Sequence, residues 1–299
     1  MSKLKYYIKS FRLRTLPLSV SGILTGIFLA SASGNFNIWI FVTAITTTLC
    51  LQILSNVSNE YGDSMNGVDN DSRIGPVRAL QPGGLTLKNL KQMIILFIIL
   101  SLVSGICLII SSFGTLFCVG GWTMLALGIL AIIAAVKYTV GKNNYGYKGL
   151  GDIAVFIFFG WVSTAGVYYL ATHTLVLSVF LPASAIGMLS MGVLNVNNIR
   201  DRENDKEYGK NTLVVKMGEH KAKIYHLFLI SGAWCLLFLY SLLHNKGVTS
   251  WIYLLVLPMF VFHLIAVYRS SGRKLDVQLR NLSLMTLLLT VLFGISLII

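Results

Sequence analysis

Charge is what this sequence has least of. Only 12% of its 299 residues are Asp, Glu, Lys or Arg, against roughly 25% in soluble domains. A chain of this length cannot cover a water-facing surface with so few charges, which excludes an ordinary soluble globule. Nucleic-acid binding, which a net charge of +13 would otherwise suggest, is set aside as well, because the basic residues flank apolar spans and positive-inside topology accounts for them. Redox and zinc motifs are missing. Cys50, Cys107, Cys118 and Cys235 fall inside apolar runs without CxxC spacing and read as small buried hydrophobes. The five histidines are scattered, with no pair at ligand spacing, and no Ser-His-Asp or Cys-His constellation can be assembled. Gly209-Lys210-Asn211-Thr212 lacks the upstream glycine and the hydroxyl directly after lysine that a P-loop needs. Asp69-Asn70-Asp71 lacks the later ligands and closing glutamate of a calcium loop.

What the sequence has is long apolar runs. Hydrophobic residues make up 55% of the chain, and the mean hydropathy is +0.74. A bilayer core takes about 20 apolar residues per helix. Spans are read near 16–33, 38–57, 92–112, 115–136, 153–172, 176–197, 224–243, 251–270 and 279–299. The runs are too long, and alternate too little, for membrane strands. The expected fold is therefore an all-α polytopic bundle of nine transmembrane helices, forming one domain over residues 1–299. Lys3, Lys5, Lys9, Arg12 and Arg14 ahead of the first run imitate a signal peptide. The run is long for a cleaved h-region and more spans follow, so it reads as an uncleaved first helix.

The connections fall into two sets. Residues 34–37, 113–116, 173–175 and 244–250 are short and nearly uncharged; 1–15, 58–91, 137–152, 198–223 and 271–278 are long and charged. Assigning each base to its nearer side puts Lys246 on the first side and the other 23 of 24 on the second. The positive-inside rule then predicts a multi-pass protein of the cytoplasmic membrane, with the N-terminus and the long connections in the cytoplasm. All eleven acids fall on that side too. The rule does not require this, because acids contribute little to it.

The acids cluster after spans two and six. The first cluster runs Asn59-Glu60-Tyr61-Gly62-Asp63 to Asp69 and Asp71, followed by Arg73 and Arg78. The second is Asn197-Asn198-Ile199-Arg200-Asp201 with Asp205, followed by Lys206 and Lys210. Asn59 and Asp63, Asn197 and Asp201, and Asp201 and Asp205 are each four apart, so on a helical turn each pair shares a face. Oxygen ligands of this kind suit Mg²⁺ or Mn²⁺, and Mg²⁺ commonly joins carboxylates to substrate phosphates. Acids for a metal beside bases for a phosphate are the pattern of a diphosphate-handling site. The plainer alternative is a solvated juxtamembrane segment of mixed charge.

These clusters carry a resemblance to the UbiA superfamily of intramembrane aromatic prenyltransferases. Supporting stretches are Arg12-Leu13-Arg14-Thr15-Leu16-Pro17, Tyr138-Thr139-Val140-Gly141-Lys142 with Gly146-Tyr147-Lys148-Gly149-Leu150-Gly151-Asp152, and Gly209 to Leu213. The second of these is most like the 1,4-dihydroxy-2-naphthoate polyprenyltransferase branch. Three positions depart from the family pattern. Glu60 stands where Asp is usual, the later Asp of the first motif falls on Gly67, the naphthoate branch having it at Asp69, and Asn144 stands where a proline is common.

The resemblance implies a helical bundle around a central cavity. It implies a polyprenyl diphosphate held through Mg²⁺, an isoprenoid tail reaching toward membrane lipid, and 1,4-dihydroxy-2-naphthoate as acceptor, giving demethylmenaquinone, diphosphate and CO₂. Asn59, Asp63, Asp201 and Asp205 are the expected metal ligands, with Asp69 or Asp71 assisting, and Asp63, Asp201 and Asp205 are the expected catalytic acids. Arg73, Arg78 and Lys142 are expected on the diphosphate, and Asn198, Lys137, Tyr138 and Arg14 on substrate. No protein partner is readable. A 4-hydroxybenzoate, chlorophyll or haem branch is the nearest alternative, and a secondary transporter the alternative of another class.

Overall fold

The computed structural model describes residues 3–69, 74–75, 78–80, 84–244 and 247–299. Asp71, Arg73 and Lys246 lie outside the described residues. Among the described residues nine helices are long and apolar enough to cross a bilayer, and no strand occurs. They are α1 (Lys3–Ala32), α2 (Ile38–Met65), α3 (Leu87–Phe113), α4 (Val119–Lys137), α5 (Gly151–Thr172), α6 (Leu177–Glu207), α7 (Glu219–Leu243), α8 (Val248–Arg269) and α9 (Lys274–Ile298). The nine expected spans are all present.

Their ends differ from expectation where it matters most. α2 has 28 residues and α6 has 31. At 1.5 Å per residue these are roughly 42 and 46 Å long, well beyond the ~30 Å hydrocarbon core. Asn59 to Asp63 of the first cluster and Asn197 to Asp205 of the second are therefore the last turns of helices, not loops, while Asp69 follows the end of α2. α1 is itself broken. An amphipathic helix Lys3–Ser10 is followed by Arg12 in the left-handed region (φ 50°, ψ 57°). The span proper, Leu16–Ala32, then starts with Pro17 in its first turn, where a missing N–H costs nothing.

α1 and α5 to α9 share one apolar core, which includes Leu189, Leu237, Tyr253, Phe260, Leu282 and Phe293. α2 and α3 pack on each other through Leu54, Val57, Leu90 and Met93. Residues Phe156–Ala165 of α5 are wound as a π-helix, a widening often found at functional sites. Gly160 lets this stretch press on α6: a Cβ there would lie 2.7 Å from the Ala183 carbonyl oxygen.

The outer faces are apolar. Ile95, Leu96, Ile99 and Val103 of α3 and Phe228 of α7 are exposed, as suits a surface solvated by lipid. Cys107 and Cys235 lie on such exposed faces, and Cys50 and Cys118 are half-buried, so the cysteines are apolar but not buried as expected. Two of the five histidines meet in space. His226 and His263 are buried with their Nε2 atoms 3.0 Å apart, and His263 Nδ1 is 3.2 Å from Gln278 Oε1. The pair ties α7 to α8 and α9.

Candidate active site

A cavity of about 330 Å³ runs between the helices. Its apolar wall includes Leu18, Ile109, Met124, Phe158, Phe159 and Leu170. Asn59, Asn197 and Asn198 line it, and its charged lining among the described residues is Arg12, Asp63, Arg78, Asp201, Asp205 and Lys210. The charges come from the break in α1, the last turns of α2 and α6, and the connections after them. The two acid clusters thus meet at one polar end of one apolar chamber.

Asp63 is the centre of this end, with only 4% of its surface exposed. The Tyr147 hydroxyl donates to it at 2.9 Å, Lys210 Nζ lies 3.2 Å from each of its oxygens, and Arg78 lies 3.8 Å away. Lys210 also stands 3.8 Å from Asp205 and 5.3 Å over the Tyr147 ring. Burial opposes the Lys210 ammonium, but Asp63 and Asp205 outweigh it and hold the group above the ordinary lysine value. Arg78 is likewise raised, because Asp69, Asp63 and Glu60 outweigh its burial. Burial, helped by Asp63, raises the Tyr147 phenol, so it remains a donor at neutral pH.

Neighbouring residues fix these groups. Glu60, 1% exposed, accepts from the Ala79 backbone N–H at 2.6 Å and so anchors the strand of chain that carries Arg78. Its extra methylene over Asp gives a physical reason for that departure from the superfamily pattern. Asp69 pairs with Arg78 Nε at 2.9 Å and is not part of the cavity lining. Gly62 packs directly on Thr139, whose hydroxyl donates to the Ser58 carbonyl at 3.0 Å. This contact seats the α4–α5 connection on α2. Asp201 receives Arg200 in a two-pronged pair at 2.6 and 2.8 Å, and Arg200 reaches Asp276 of α9 at 2.7 Å. Arg14 also binds Asp276, at 2.6 Å.

Asn59, Asp63, Arg78, Tyr138, Asn198, Asp201 and Asp205 therefore line the cavity together. Arg14 is engaged by Asp276 and does not line it. Lys137 and Lys142 are exposed, and neither lines the cavity. α4 ends at Lys137 and Gly141 turns left-handed (φ 95°), so the chain leaves the helix between Tyr138 and Lys142. Sequence reasoning missed Arg12, Glu60, Tyr147 and Arg200, and read Lys210 only as a nearby base.

The donor set suits a hard divalent cation. The carboxylates of Asp63, Asp201 and Asp205 and the side-chain amides of Asn59, Asn197 and Asn198, all oxygen donors, line one space. Among the described residues no three carboxylate, histidine or cysteine side chains already converge as a cage. Asp63 and Asp201 are turned onto Lys210, Arg78 and Arg200 instead.

The comparisons with known proteins agree with this architecture. The pattern of the UbiA prenyltransferase family matches residues 19–292, and the chain belongs to that family. It is 43% identical over 261 residues to a 1,4-dihydroxy-2-naphthoate octaprenyltransferase of Escherichia coli, covering 87% of this chain and 84% of the relative. It is 41% identical to the protein of the same description in Haemophilus influenzae, over 99% of this chain and 97% of that one. The fold is similar to an apo UbiA homologue of Aeropyrum pernix (TM-score 0.69, 15% identity, 96% of this chain and 98% of that one). It is also similar to an Archaeoglobus fulgidus UbiA homologue bound to GPP and Mg²⁺ (TM-score 0.64, 17% identity, 97% and 99%).

Proposed function

We propose that this protein transfers a polyprenyl group from its diphosphate to 1,4-dihydroxy-2-naphthoate, releasing diphosphate and CO₂ and forming demethylmenaquinone as its quinol. The observation that carries this reading is the meeting of two acid-bearing helix ends, ringed by buried cations, at the mouth of one apolar chamber. The descriptions of the E. coli and H. influenzae relatives supply the acceptor.

Asn59, Asp63, Asn198, Asp201 and Asp205 would hold Mg²⁺, with Mn²⁺ as an alternative occupant, and the metal would neutralise charge on the departing diphosphate. Arg78 and Lys210 grip the diphosphate oxygens as the allylic C–O bond breaks. Asp69 and Glu60 keep Arg78 in place for this. The apolar wall, with Phe158 and Phe159, keeps water from the allylic cation. The electron-rich ring attacks that cation, and loss of its carboxylate as CO₂ restores aromaticity. Tyr138 faces the chamber as a donor to the acceptor. Lys137 and Lys142 stand outside the lining and act on substrate only if the 138–150 connection moves.

The nine helices form one domain in the cytoplasmic membrane, with the site on the cytoplasmic face. A transporter would place its ionisable residues near mid-membrane, whereas these charges come from helix ends. The test is to incubate membranes containing the protein with a polyprenyl diphosphate, Mg²⁺ and a panel of aromatic acceptors, and to identify products by mass. Prenylated naphthoquinol should form, EDTA should abolish it and Mg²⁺ should restore it. Full turnover in excess chelator, or product only from 4-hydroxybenzoate, overturns the reading.

A further inference from the structure

Lys210 occupies a position that a merely anchoring lysine has no need to reach. The chain leaves α6 at Glu207, turns at Gly209 (φ 72°), and folds back so that the Lys210 N–H donates to the Asp205 carbonyl at 2.7 Å. This return points the side chain inward, where it is only 10% exposed. Its ammonium then sits 3.2 Å from Asp63 of the first acid cluster and 3.8 Å from Asp205 of the second. Its ammonium thus spans the two clusters, and the Tyr147 hydroxyl and ring hold its surroundings from the side.

We propose that the Lys210 ammonium is a built-in stand-in cation, holding Asp63 and Asp205 in register in the free protein and passing to the diphosphate when a divalent metal enters, so that metal and diphosphate bind together and not separately. The inference rests on the function proposed above and adds an order of events to it. A metal cannot take Asp63 and Asp205 while an ammonium lies against both, since like charges repel at that range. Nor can the ammonium leave alone, because a buried charge stripped of its partners is heavily penalised. An anion arriving with the metal removes both obstacles. Metal binding and anion binding are then coupled, and the coupling is reciprocal. A site built this way disfavours metal without substrate.

The test uses the full-length protein in detergent and isothermal titration with Mg²⁺ alone. Lys210→Met keeps length and loses charge, Lys210→Gln is a second neutral variant, and Lys210→Arg keeps the charge. The neutral variants should bind Mg²⁺ alone at least ~10-fold more tightly than wild type, within the usual span of coupling between sites. They should also bind pyrophosphate, in the presence of EDTA, more weakly. Lys210→Arg should follow wild type in both. A wild-type measurement carries the test if both neutral variants misfold. At constant ionic strength, replacing chloride by sulfate, an anion that chelates Mg²⁺ weakly, should tighten Mg²⁺ binding several-fold. Neutral variants that bind Mg²⁺ no better than wild type, or a wild type indifferent to sulfate, overturn the stand-in. If wild-type membranes transfer prenyl groups while these titrations fail, only the stand-in falls. If they transfer none, the proposed function falls.

Discussion

Asp63→Asn separates the structural and the chemical work of the site. The substitution keeps shape and removes one negative charge from a side chain that faces Lys210 at 3.2 Å, Arg78 at 3.8 Å and the Tyr147 hydroxyl at 2.9 Å. Removing one partner of a buried pair costs about 3–5 kcal/mol, because the other charge stays buried and uncompensated. Here Asp205 remains near Lys210 and Asp69 near Arg78, so the lower end, about 3 kcal/mol, is expected. Removing both partners of such a pair is often nearly neutral. Asp63→Asn with Lys210→Met should therefore recover most of the lost stability. Activity should behave differently. Asp63→Asn should cut prenyl transfer at least ~10²-fold, the scale for losing one strong electrostatic contact in a transition state, and the double variant should stay as low. Thermal unfolding in detergent and product formation in membranes, measured on the same preparations, read the two effects. Turnover of Asp63→Asn within threefold of wild type refutes the site assignment, and a double variant no more stable than Asp63→Asn refutes the pairing argument.

Gly62→Ala should lower stability by about 1–3 kcal/mol, the usual cost of overpacking, since its Cβ would lie 2.5 Å from Thr139 Oγ1 and 2.6 Å from the Thr139 carbonyl oxygen; an unchanged melting midpoint contradicts that contact. Alkaline pH tests the buried cations and phenols. Lys210 is raised in the folded protein, Tyr145 is pushed up to about 12 by burial, and Tyr138 and Tyr147 are raised too. A raised folded value gives stability that is complete below the unfolded value and is lost as pH climbs through the folded one. The unfolded phenols ionise near 10 and the unfolded lysine near 10.4, so these groups leave the melting midpoint level up to about pH 9 and lower it above about pH 10; a fall already under way at pH 8 that Tyr145→Phe removes contradicts the shift. For topology, single cysteines in a background lacking Cys50, Cys107, Cys118 and Cys235 report sidedness. Exposed positions Asn35 and Thr174 should label with an impermeant thiol reagent on intact cells, whereas Asn66 and Glu207 should label only after lysis; opposite behaviour of Asn66 and Glu207 would separate the two acid clusters and end the shared site.

The number and order of the spans were legible because hydrocarbon sets a length that composition reveals. Their ends were not. α2 runs on to Met65 and α6 to Glu207, and a polar helix beyond the bilayer looks like a loop to any hydropathy window. The i, i+4 spacing still exposed the faces of Asn59 with Asp63 and of Asp201 with Asp205, because that periodicity belongs to the helix whatever surrounds it. The residues that were missed reach the site through chain reversals. Lys210 depends on the turn at Gly209, and Tyr147 on the 138–150 connection, tied down where the Asn211 N–H donates to the Tyr147 carbonyl at 3.0 Å. Nothing periodic marks such positions. Arg14 was expected on substrate and binds Asp276, 262 residues away in sequence. His226 and His263 meet across two helices with no local spacing to announce it.

The central claim is that the chamber prenylates a naphthoate and releases its carboxylate in the same turnover. The most direct measurement supplies 1,4-dihydroxy-2-naphthoate carrying a carbon label in its carboxylate, together with a polyprenyl diphosphate and Mg²⁺, to membranes containing the protein. Trapped labelled CO₂ is then compared with prenylated product. The account predicts equal molar amounts of the two, both absent with Asp63→Asn. Prenylated product that retains the label, or labelled CO₂ released without prenyl diphosphate, would contradict it.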